Sequence, residues 1–275
     1  MKDLIPHRFA TLGHPQRLAL FRLLMRRYPD QVPATELAQA LDVKPNTLST
    51  YVNALMEAGL IGQTRVGTSL RYTVDLDAAR DTLDYLLNDC CRGRPDVCRP
   101  DARLPVGRRL NVLFLCTGNA ARSILAEAIL RDLAGDRFAA HSAGTQPRQA
   151  PDPRALALLK EKGHDTASLH SKHVADYRGP GAPVFDLVLT VCDRAANEDC
   201  PAWEGRPLSG HWGLPDPAGG VGAPADRRLA FEQTYGALQT RIRALAALPM
   251  SSLDRMSLQQ AVDDIGQITN EGTIQ

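Results

Sequence analysis

The sequence has no hydrophobic run long enough to cross a lipid bilayer, and its first residues, MKDLIPHRFATLGHPQ, contain no apolar leader region. It also lacks an excess of charge of one sign, since the formal net charge at pH 7 is +1. A charge this small does not by itself indicate a nucleic-acid-binding protein. Internal repeats are absent as well. From these absences we expect a cytoplasmic protein without a membrane partner.

Cysteine is present in small number and is unevenly placed. The chain has 275 residues and six cysteines, which form the groups Cys90, Cys91, Cys98 and Cys116, Cys192, Cys200. Cysteines of cytoplasmic proteins serve metal, metalloid or redox chemistry more often than structural disulfides. A chain of this length has room for about two domains. The grouping therefore indicates two separate roles.

The stretch 92–108 (RGRPDVCRPDARLPVGR) is rich in Arg, Pro and Gly and separates two different patterns. Such composition is typical of a linker. We therefore predict a first domain at 1–91, a Cys-containing linker at 92–108, a second domain at 109–267 and a flexible tail at 268–275.

The run LNVLFLCTGNAARSILAEAIL places Cys116 at the end of a buried strand, shortly before Arg122 and Ser123 at the start of a helix. This arrangement directs backbone N–H groups and a helix N-terminus at one point, which favours a bound tetrahedral oxyanion. Arg122 can add a bidentate fork, and the positive field is expected to lower the pKa of the Cys116 thiol. The pattern predicts nucleophilic attack on phosphate, a phosphoester or arsenate. The predicted oxyanion-binding loop comprises Thr117, Gly118, Asn119, Ala120, Ala121, Arg122 and Ser123.

Before the linker, the sequence predicts two helices joined by a turn, then a hairpin and a last amphipathic helix. The pair ends in PNTLSTYVNALMEAGL, and the hairpin is LIGQTRVGTSLRYTV. This is the order of a winged helix-turn-helix, in which the second helix enters the major groove and the wing reaches the phosphate backbone. The predicted DNA contacts are Lys44, Asn46, Thr47, Ser49, Thr50, Asn53, Arg65 and Arg71.

Three segments of the first domain form a recognisable pattern, namely LGHPQRLALFRLL, ELAQALDVKPNTLSTYVNALMEAGLI and the hairpin ending RYTVD. Through these segments, residues 5–98 resemble the ArsR-type winged-helix repressors. The resemblance implies a homodimer, formed through the first and last helices, that binds palindromic operator DNA and releases it when metal binds. Cys90, Cys91 and Cys98 resemble the sensor cysteines of arsenite-responsive members. Three thiolates suit trivalent arsenic or antimony, whereas zinc would require a fourth ligand.

From Arg109 onward, strands and helices alternate, which predicts an α/β doubly wound parallel sheet with its site at the carboxyl ends of the strands. CTGNAARS and HWGLPDPA resemble the low-molecular-weight phosphotyrosine phosphatases, and more closely the arsenate reductases built on that four-stranded fold. The resemblance covers about 109–267 and implies that Asp216 is the general acid. Ala120 departs from the Ser found in many members.

Cys192 and Cys200 distinguish a reductase from a phosphatase, because reduction of arsenate requires thiols that deliver two electrons. The resemblance implies attack by Cys116, then by Cys192 and then by Cys200. The thioredoxin-linked members place the last two cysteines slightly closer together, so a glutathione and glutaredoxin route through Cys192 stays open. No tightly bound cofactor is expected, with arsenite as the regulatory ligand.

The sequence thus predicts an arsenic-responsive repressor fused to an arsenate reductase. The alternatives are a phosphatase with a winged-helix regulatory or dimerisation module, and a DNA-bound regulator with a degenerate second domain. Glu127 and Ser142 match positions that hold a monovalent cation in some relatives. The remaining candidates, expected to be surface or structural residues, are His141, His164, His170, His173 and His211.

Overall fold

The computed structural model describes residues 4–90, 104, 107–179, 181–198, 203–205, 207–219 and 223–268, without the side chains at 88 and 224. The chain divides into two compact units, Met1–Ala102 and Arg103–Gln275. The finer domain boundaries given above stay predictions. Within the described ranges, no helix is both long and apolar enough to cross a membrane.

The first unit is a winged helix-turn-helix, as predicted. Pro15 and Pro45 stand in the first turns of the second and fourth helices, where a proline costs no hydrogen bond. Gly59 follows the fourth helix with a φ of 67°, which favours glycine. The elements are α1 Leu4–Leu12, α2 Pro15–Arg27, β1 Val32–Pro33, α3 Ala34–Ala40, α4 Pro45–Glu57, β2 Ile61–Val66, β3 Ser69–Val74 and α5 Leu76–Asp84.

Strands β2 and β3 form the wing. They pair antiparallel from Ile61 and Val74 to Val66 and Ser69, and β1 adds to the other edge of β3. The hydrophobic core of this unit gathers side chains from α2, α3, α4 and the wing, including Leu20, Leu37, Leu48, Val52, Leu55 and Tyr72. The core thus fixes α4 against the rest of the unit.

The last helical segment of the first unit extends beyond α5. Helix α5 ends at Asp84, and a π-helical turn, Tyr85–Cys90, continues it. Cys90 therefore lies at the end of this helical segment, and its side chain is exposed. Cys91 and Cys98 lie outside the described residues.

Arg8 is a buried arginine that joins three elements. It is 7% exposed. Its Nε donates to the carbonyl of Ala58, just after α4, at 3.1 Å. Its Nη1 donates to the carbonyl of Ala78 at 3.0 Å and to the hydroxyl of Thr82 at 3.3 Å, both in α5. The cation thus satisfies a carbonyl at the negative end of the α4 dipole.

The second unit is a doubly wound α/β sheet, as predicted. The elements are β4 Leu110–Cys116, α6 Arg122–Ala134, β5 Phe138–Gly144, α7 Pro153–Glu161, β6 Leu187–Thr190, α8 Asp193–Asn197, β7 Leu208–His211, α9 Pro224–Ala247 and α10 Arg255–Gly266, with a 3₁₀ turn at Val174–Tyr177. The four strands are parallel in the order β5-β4-β6-β7. The strands and helices predicted from the sequence did not include β7, α8 or α10.

Helix α10 covers the β7 edge of the sheet. Trp212 is fully buried there, and its Nε1 donates to the carbonyl of Val262 at 3.0 Å. Asp263, one residue further along, is 8% exposed and accepts a hydrogen bond from Gln259 Nε2 at 2.9 Å. Burial raises the pKa of Asp263 to about 7, because the charged carboxylate loses its hydration.

We predict that Arg8→Met lowers the stability of the first unit by about 1–3 kcal/mol, because it leaves buried carbonyls without their donor. Hydrogen exchange of α1, α4 and α5, followed by mass spectrometry of the full chain, measures this. Arg80→Met is the control, since Arg80 is 57% exposed and pairs with Asp77 at the surface. Unchanged protection in Arg8→Met would contradict the assigned role.

We predict that Asp263→Asn stabilises the second unit at pH 8 but not at pH 4. The folded carboxyl has a pKa of about 7, above the unfolded value of about 3.9. Its contribution to stability is therefore present at low pH and is lost as the pH rises through 7. The expected gain in melting temperature at pH 8 is at least about 2 °C.

Tryptophan fluorescence reports the thermal unfolding of the second unit, because both tryptophans of the chain, Trp203 and Trp212, lie in that unit. Asp136→Asn, at an exposed position, is the control and should give no such pH-dependent gain. A gain for Asp263→Asn of equal size at both pH values would contradict the raised pKa.

Candidate active site

Cys116 lies where strand β4 ends and a tight loop begins. Its thiol is 3% exposed. The backbone N–H of Asn119 donates to Cys116 Sγ at 3.1 Å, and the hydroxyl of Ser123, in the first turn of α6, is 2.9 Å from the same sulfur. Asn119 has a φ of 41°, a left-handed conformation that Asn tolerates better than most residues. This reversal turns the loop back over the sulfur.

Backbone N–H groups of 145–152 hold the outer side of the loop. The bonds run from Thr145 N to Cys116 O (3.2 Å), Gln146 N to Thr117 O (2.9 Å), Arg148 N to Gly118 O (2.9 Å) and Asp152 N to Ala120 O (2.8 Å). With these carbonyls engaged outside, the loop amides are left to face the cleft. Gly144 permits the contact, since a Cβ there would lie 2.5 Å from Thr117 O.

The side chain of Asn119 connects the loop to the core. It is fully buried, and its Nδ2 donates to the hydroxyls of Ser123 at 2.9 Å and Ser142 at 2.8 Å. Its Oδ1 accepts from the backbone N–H of Lys172 at 2.7 Å. Every polar atom of the amide is thus used, which fixes the loop before an anion arrives.

Glu127 and Ser142, candidates for a monovalent cation site, hydrogen-bond to each other. The ammonium of Lys172 also pairs with Glu127, at 3.0 Å, and both side chains are 11% exposed. The Lys172 ammonium therefore neutralises the Glu127 carboxylate and takes the place of the expected monovalent cation.

Burial raises the pKa of the Cys116 thiol, and the nearby Cys192 thiol acts in the same direction. The Ser123 hydrogen bond, the Arg122 charge and the Asn119 N–H oppose this rise in the pKa but do not outweigh burial. The prediction that the loop lowers the thiol pKa is therefore wrong for this structure. The sequence reveals the stabilising groups but not how completely the sulfur loses contact with water.

Arg122 connects the loop to the proposed general acid. Its Nη1 donates to the carbonyl of Leu214 at 2.8 Å, and its Nη2 lies 3.6 Å from Asp216 Oδ1. Arg122 is 14% exposed and Asp216 is 44% exposed. The arginine thus holds the 214–216 segment over the cleft, with a carboxyl group within reach of solvent.

Cys192 lies two residues after the end of β6, the strand that pairs with β4. Its thiol is 2% exposed. The hydroxyl of Thr117 lies 3.5 Å from Cys192 Sγ, and the backbone N–H of Ala195 donates to that sulfur at 3.4 Å. Cys116 and Cys192 are both free thiols. Cys200 lies outside the described residues.

Both thiols line one cleft of about 520 Å³. Sequence reasoning did not identify Gln146, Arg148 or Arg194 in its wall, although they follow strand ends at the sheet edge where ligands bind in such folds. No aromatic ring is among the described lining residues, which are Cys116, Thr117, Gly118, Ala120, Ala121, Arg122, Gln146, Arg148, Cys192, Asp193, Arg194, Leu214, Pro215, Asp216 and Ala218.

The predicted DNA contacts lie on α4 and the wing. Most are exposed, namely Lys44, Asn46, Ser49, Thr50, Asn53 and Arg65, whereas Thr47 and Arg71 are partly buried. The hydroxyls of Ser49 and Thr50 donate back to helix carbonyls, at 3.0 and 3.2 Å. These residues present polar groups on one helix face and one strand edge of the first unit.

The five candidate histidines either contact other protein side chains or are exposed at the surface. His211 is buried and hydrogen-bonds to Thr190 at 2.8 Å and to Asp193 at 3.2 Å. His164 lies between Asp132 and the hydroxyl of Tyr235. The others are His141, packed edge-on to two aromatic rings, and the exposed His170 and His173.

Comparison with known proteins agrees with both halves of this description. A family described as low molecular weight phosphotyrosine protein phosphatase matches residues 111–259, and a helix-turn-helix domain matches 12–63. An arsenate reductase of Halalkalibacterium halodurans is 33% identical over 135 residues, which cover 49% of this chain and 94% of that protein. An arsenate reductase of Bacillus subtilis (strain 168) is 31% identical with the same coverage.

A solved ArsR-like transcriptional regulator from Rhodococcus sp. RHA1 is 22% identical, with a TM-score of 0.31, over 35% of this chain and 88% of that one. The predicted helix-turn-helix domain and the resemblance to the phosphatase family are confirmed. The chain belongs to the low molecular weight phosphotyrosine protein phosphatase family, and a helix-turn-helix domain precedes its family domain.

Proposed function

We propose that this chain is an arsenate reductase and an arsenic-responsive transcriptional repressor in one polypeptide. The observation that carries the reductase assignment is the second buried thiol, Cys192, in the same cleft as Cys116. A phosphatase needs a single cysteine, whereas two-electron reduction needs a second thiol. The arsenate reductase relatives, matched over 94% of their length, support this choice.

The first step is attack by Cys116 on arsenate held by the loop amides and Arg122. Because burial raises the thiol pKa, the thiol proton passes to the bound arsenate dianion as the thiolate forms. An S–As bond then forms while an As–O bond breaks. Asp216 is the general acid that donates a proton to the departing oxygen, which leaves as water.

In the second step, the Cys192 thiol gives its proton to an arsenic-bound oxygen, and the resulting thiolate attacks Cys116 Sγ. The S–S bond forms as the S–As bond breaks, and the electron pair of that bond stays on arsenic, which is reduced from As(V) to As(III). Thr117, whose hydroxyl lies 3.5 Å from Cys192 Sγ, positions the second thiol. Arsenite leaves, and the Cys116–Cys192 disulfide is opened by Cys200 with thioredoxin, or by glutathione and glutaredoxin.

The repressor assignment concerns the first unit. A homodimer presents two α4 helices to a palindromic operator, with Arg65 of the wing at the phosphate backbone. The exposed Cys90, together with Cys91 and Cys98, takes up arsenite. Cys90 ends the helical segment that begins with α5, so arsenite binding acts on the proposed dimer helix.

The second candidate function is a phosphatase with a winged-helix module, which the family match allows. The described wall of the cleft lacks aromatic rings, whereas a slot for phosphotyrosine would gain affinity from aromatic packing. That absence and the buried Cys192 favour the reductase.

We predict that Cys192→Ser abolishes multiple-turnover arsenate reduction, because the arseno-adduct on Cys116 loses its attacking thiol. Arsenite formation by the purified chain, with thioredoxin or glutaredoxin systems supplied separately, measures this. Hydrolysis of an aryl phosphate is the matched readout, since it needs Cys116 but not Cys192. Full arsenate turnover by Cys192→Ser would contradict the mechanism, and hydrolysis without any reduction by the parent would favour the phosphatase.

We predict that arsenite releases the chain from the DNA upstream of its own coding sequence. Electrophoretic mobility shift with that DNA, with and without arsenite, measures the release. A variant with Ser at 90, 91 and 98 should bind DNA but stay bound when arsenite is added. Cys116→Ser is the control and should respond like the parent. Release of the triple variant from DNA at the same arsenite concentration would contradict the assignment of these cysteines as the arsenite sensor.

A further inference from the structure

We infer that the mouth of the cleft binds the carboxylates of a small acidic thiol, with Arg148 and Arg194 as its anchors. This inference rests on the proposed reductase function, since the thiol would be the reductant that regenerates Cys116 and Cys192. The chemical class is a peptide-sized thiol with two carboxylates, for which glutathione is the probe. Room, charge and access to the sulfurs each support the inference.

The cleft has more room than arsenate requires. Its volume is about 520 Å³, within the range of about 300–1,000 Å³ typical of sites for larger organic ligands. The anion loop, with Cys116 and Arg122, forms part of the wall. Gln146, Arg148 and Arg194 belong to the wall but not to the loop, and they border the remaining space.

The charges lining the cleft do not cancel. The carboxylate of Asp216 lies 3.6 Å from Arg122, and that of Asp193 lies 3.2 Å from His211. Within the part of the chain that the structure describes, the Arg194 guanidinium has one hydrogen bond, to the side-chain oxygen of Gln146 at 3.4 Å. Among the described residues, the Arg148 guanidinium has no hydrogen-bonded acceptor, and the nearby Asp152 is already held by Arg154 at 2.7 and 2.9 Å.

The anchors are placed beside the reacting atoms. The Arg148 side chain lies along Gly118 of the loop, since a Cβ on that glycine would be 3.6 Å from Arg148 Cγ and 3.7 Å from its Nε. Arg194 lies in α8, two residues after Cys192. Both arginines are exposed, so a carboxylate can reach either one from solvent.

Access to the sulfurs favours a small thiol. Cys116 and Cys192 are 3% and 2% exposed, so an incoming thiol must enter the cleft to reach them. The first thiolate attacks Cys192 Sγ of the disulfide, and Cys116 leaves as a thiolate. A second thiolate then attacks the external sulfur of the mixed disulfide and releases Cys192. In sum, two thiols and arsenate give one external disulfide, arsenite and water.

Steady-state arsenate reduction with glutathione or with neutral 2-mercaptoethanol as the only thiol tests the inference. We expect the parent to prefer glutathione, and Arg148→Gln/Arg194→Gln to lower kcat/KM for glutathione relative to that for 2-mercaptoethanol about tenfold. This is the size expected for losing charge-assisted hydrogen bonds. Arg228→Gln is the control, since Arg228 is 64% exposed, pairs with Glu161 and Glu232, and is not among the residues lining the cleft.

The ratio of the two thiols cancels any effect of the variants on arsenate itself. S-methylglutathione, which cannot donate electrons, should inhibit competitively against glutathione in the parent and much less in the double variant. An unchanged ratio, or absence of this inhibition, would overturn the inference. No reduction of arsenate with any thiol would instead contradict the proposed function. Turnover only with a protein thiol would also overturn the inference.

Discussion

The chemistry of this protein depends on how tightly the loop after β4 is folded around one sulfur. Cys116 receives an N–H from Asn119 and lies beside the Ser123 hydroxyl, while loop carbonyls are bound on the outer side by 145–152. The Asn119 amide connects the loop to Ser142 and Lys172. The oxyanion cradle is therefore built before substrate binds, so little reorganisation is needed at reaction.

The same packing has a cost and a benefit for the thiol. Burial raises the pKa of Cys116, so the resting sulfur holds its proton and is a weaker target for oxidants. In the proposed mechanism, a doubly charged oxyanion accepts that proton and binds to the loop amides. Cys192 is buried as well, at 2% exposed, and its sulfur lies near the Thr117 hydroxyl.

Features encoded over short stretches could be predicted from the sequence. The strand, loop and helix around Cys116 follow from one run of residues, and so do the recognition helix and the wing. Contacts between distant residues could not be predicted, such as Lys172 on Glu127 or Arg148 along Gly118. Strand β7, Leu208–His211, was missed because a four-residue strand containing glycine has no clear alternation.

The central claim is that Cys116 and Cys192 act as one redox pair at a shared anion site. To test this claim, reduced Cys200→Ser protein is given one equivalent of arsenate without external thiol. The cysteines are then alkylated and mapped by mass spectrometry. The mechanism predicts one arsenite released for each Cys116–Cys192 disulfide formed. Arsenite released while Cys192 is recovered as an alkylated free thiol would contradict it.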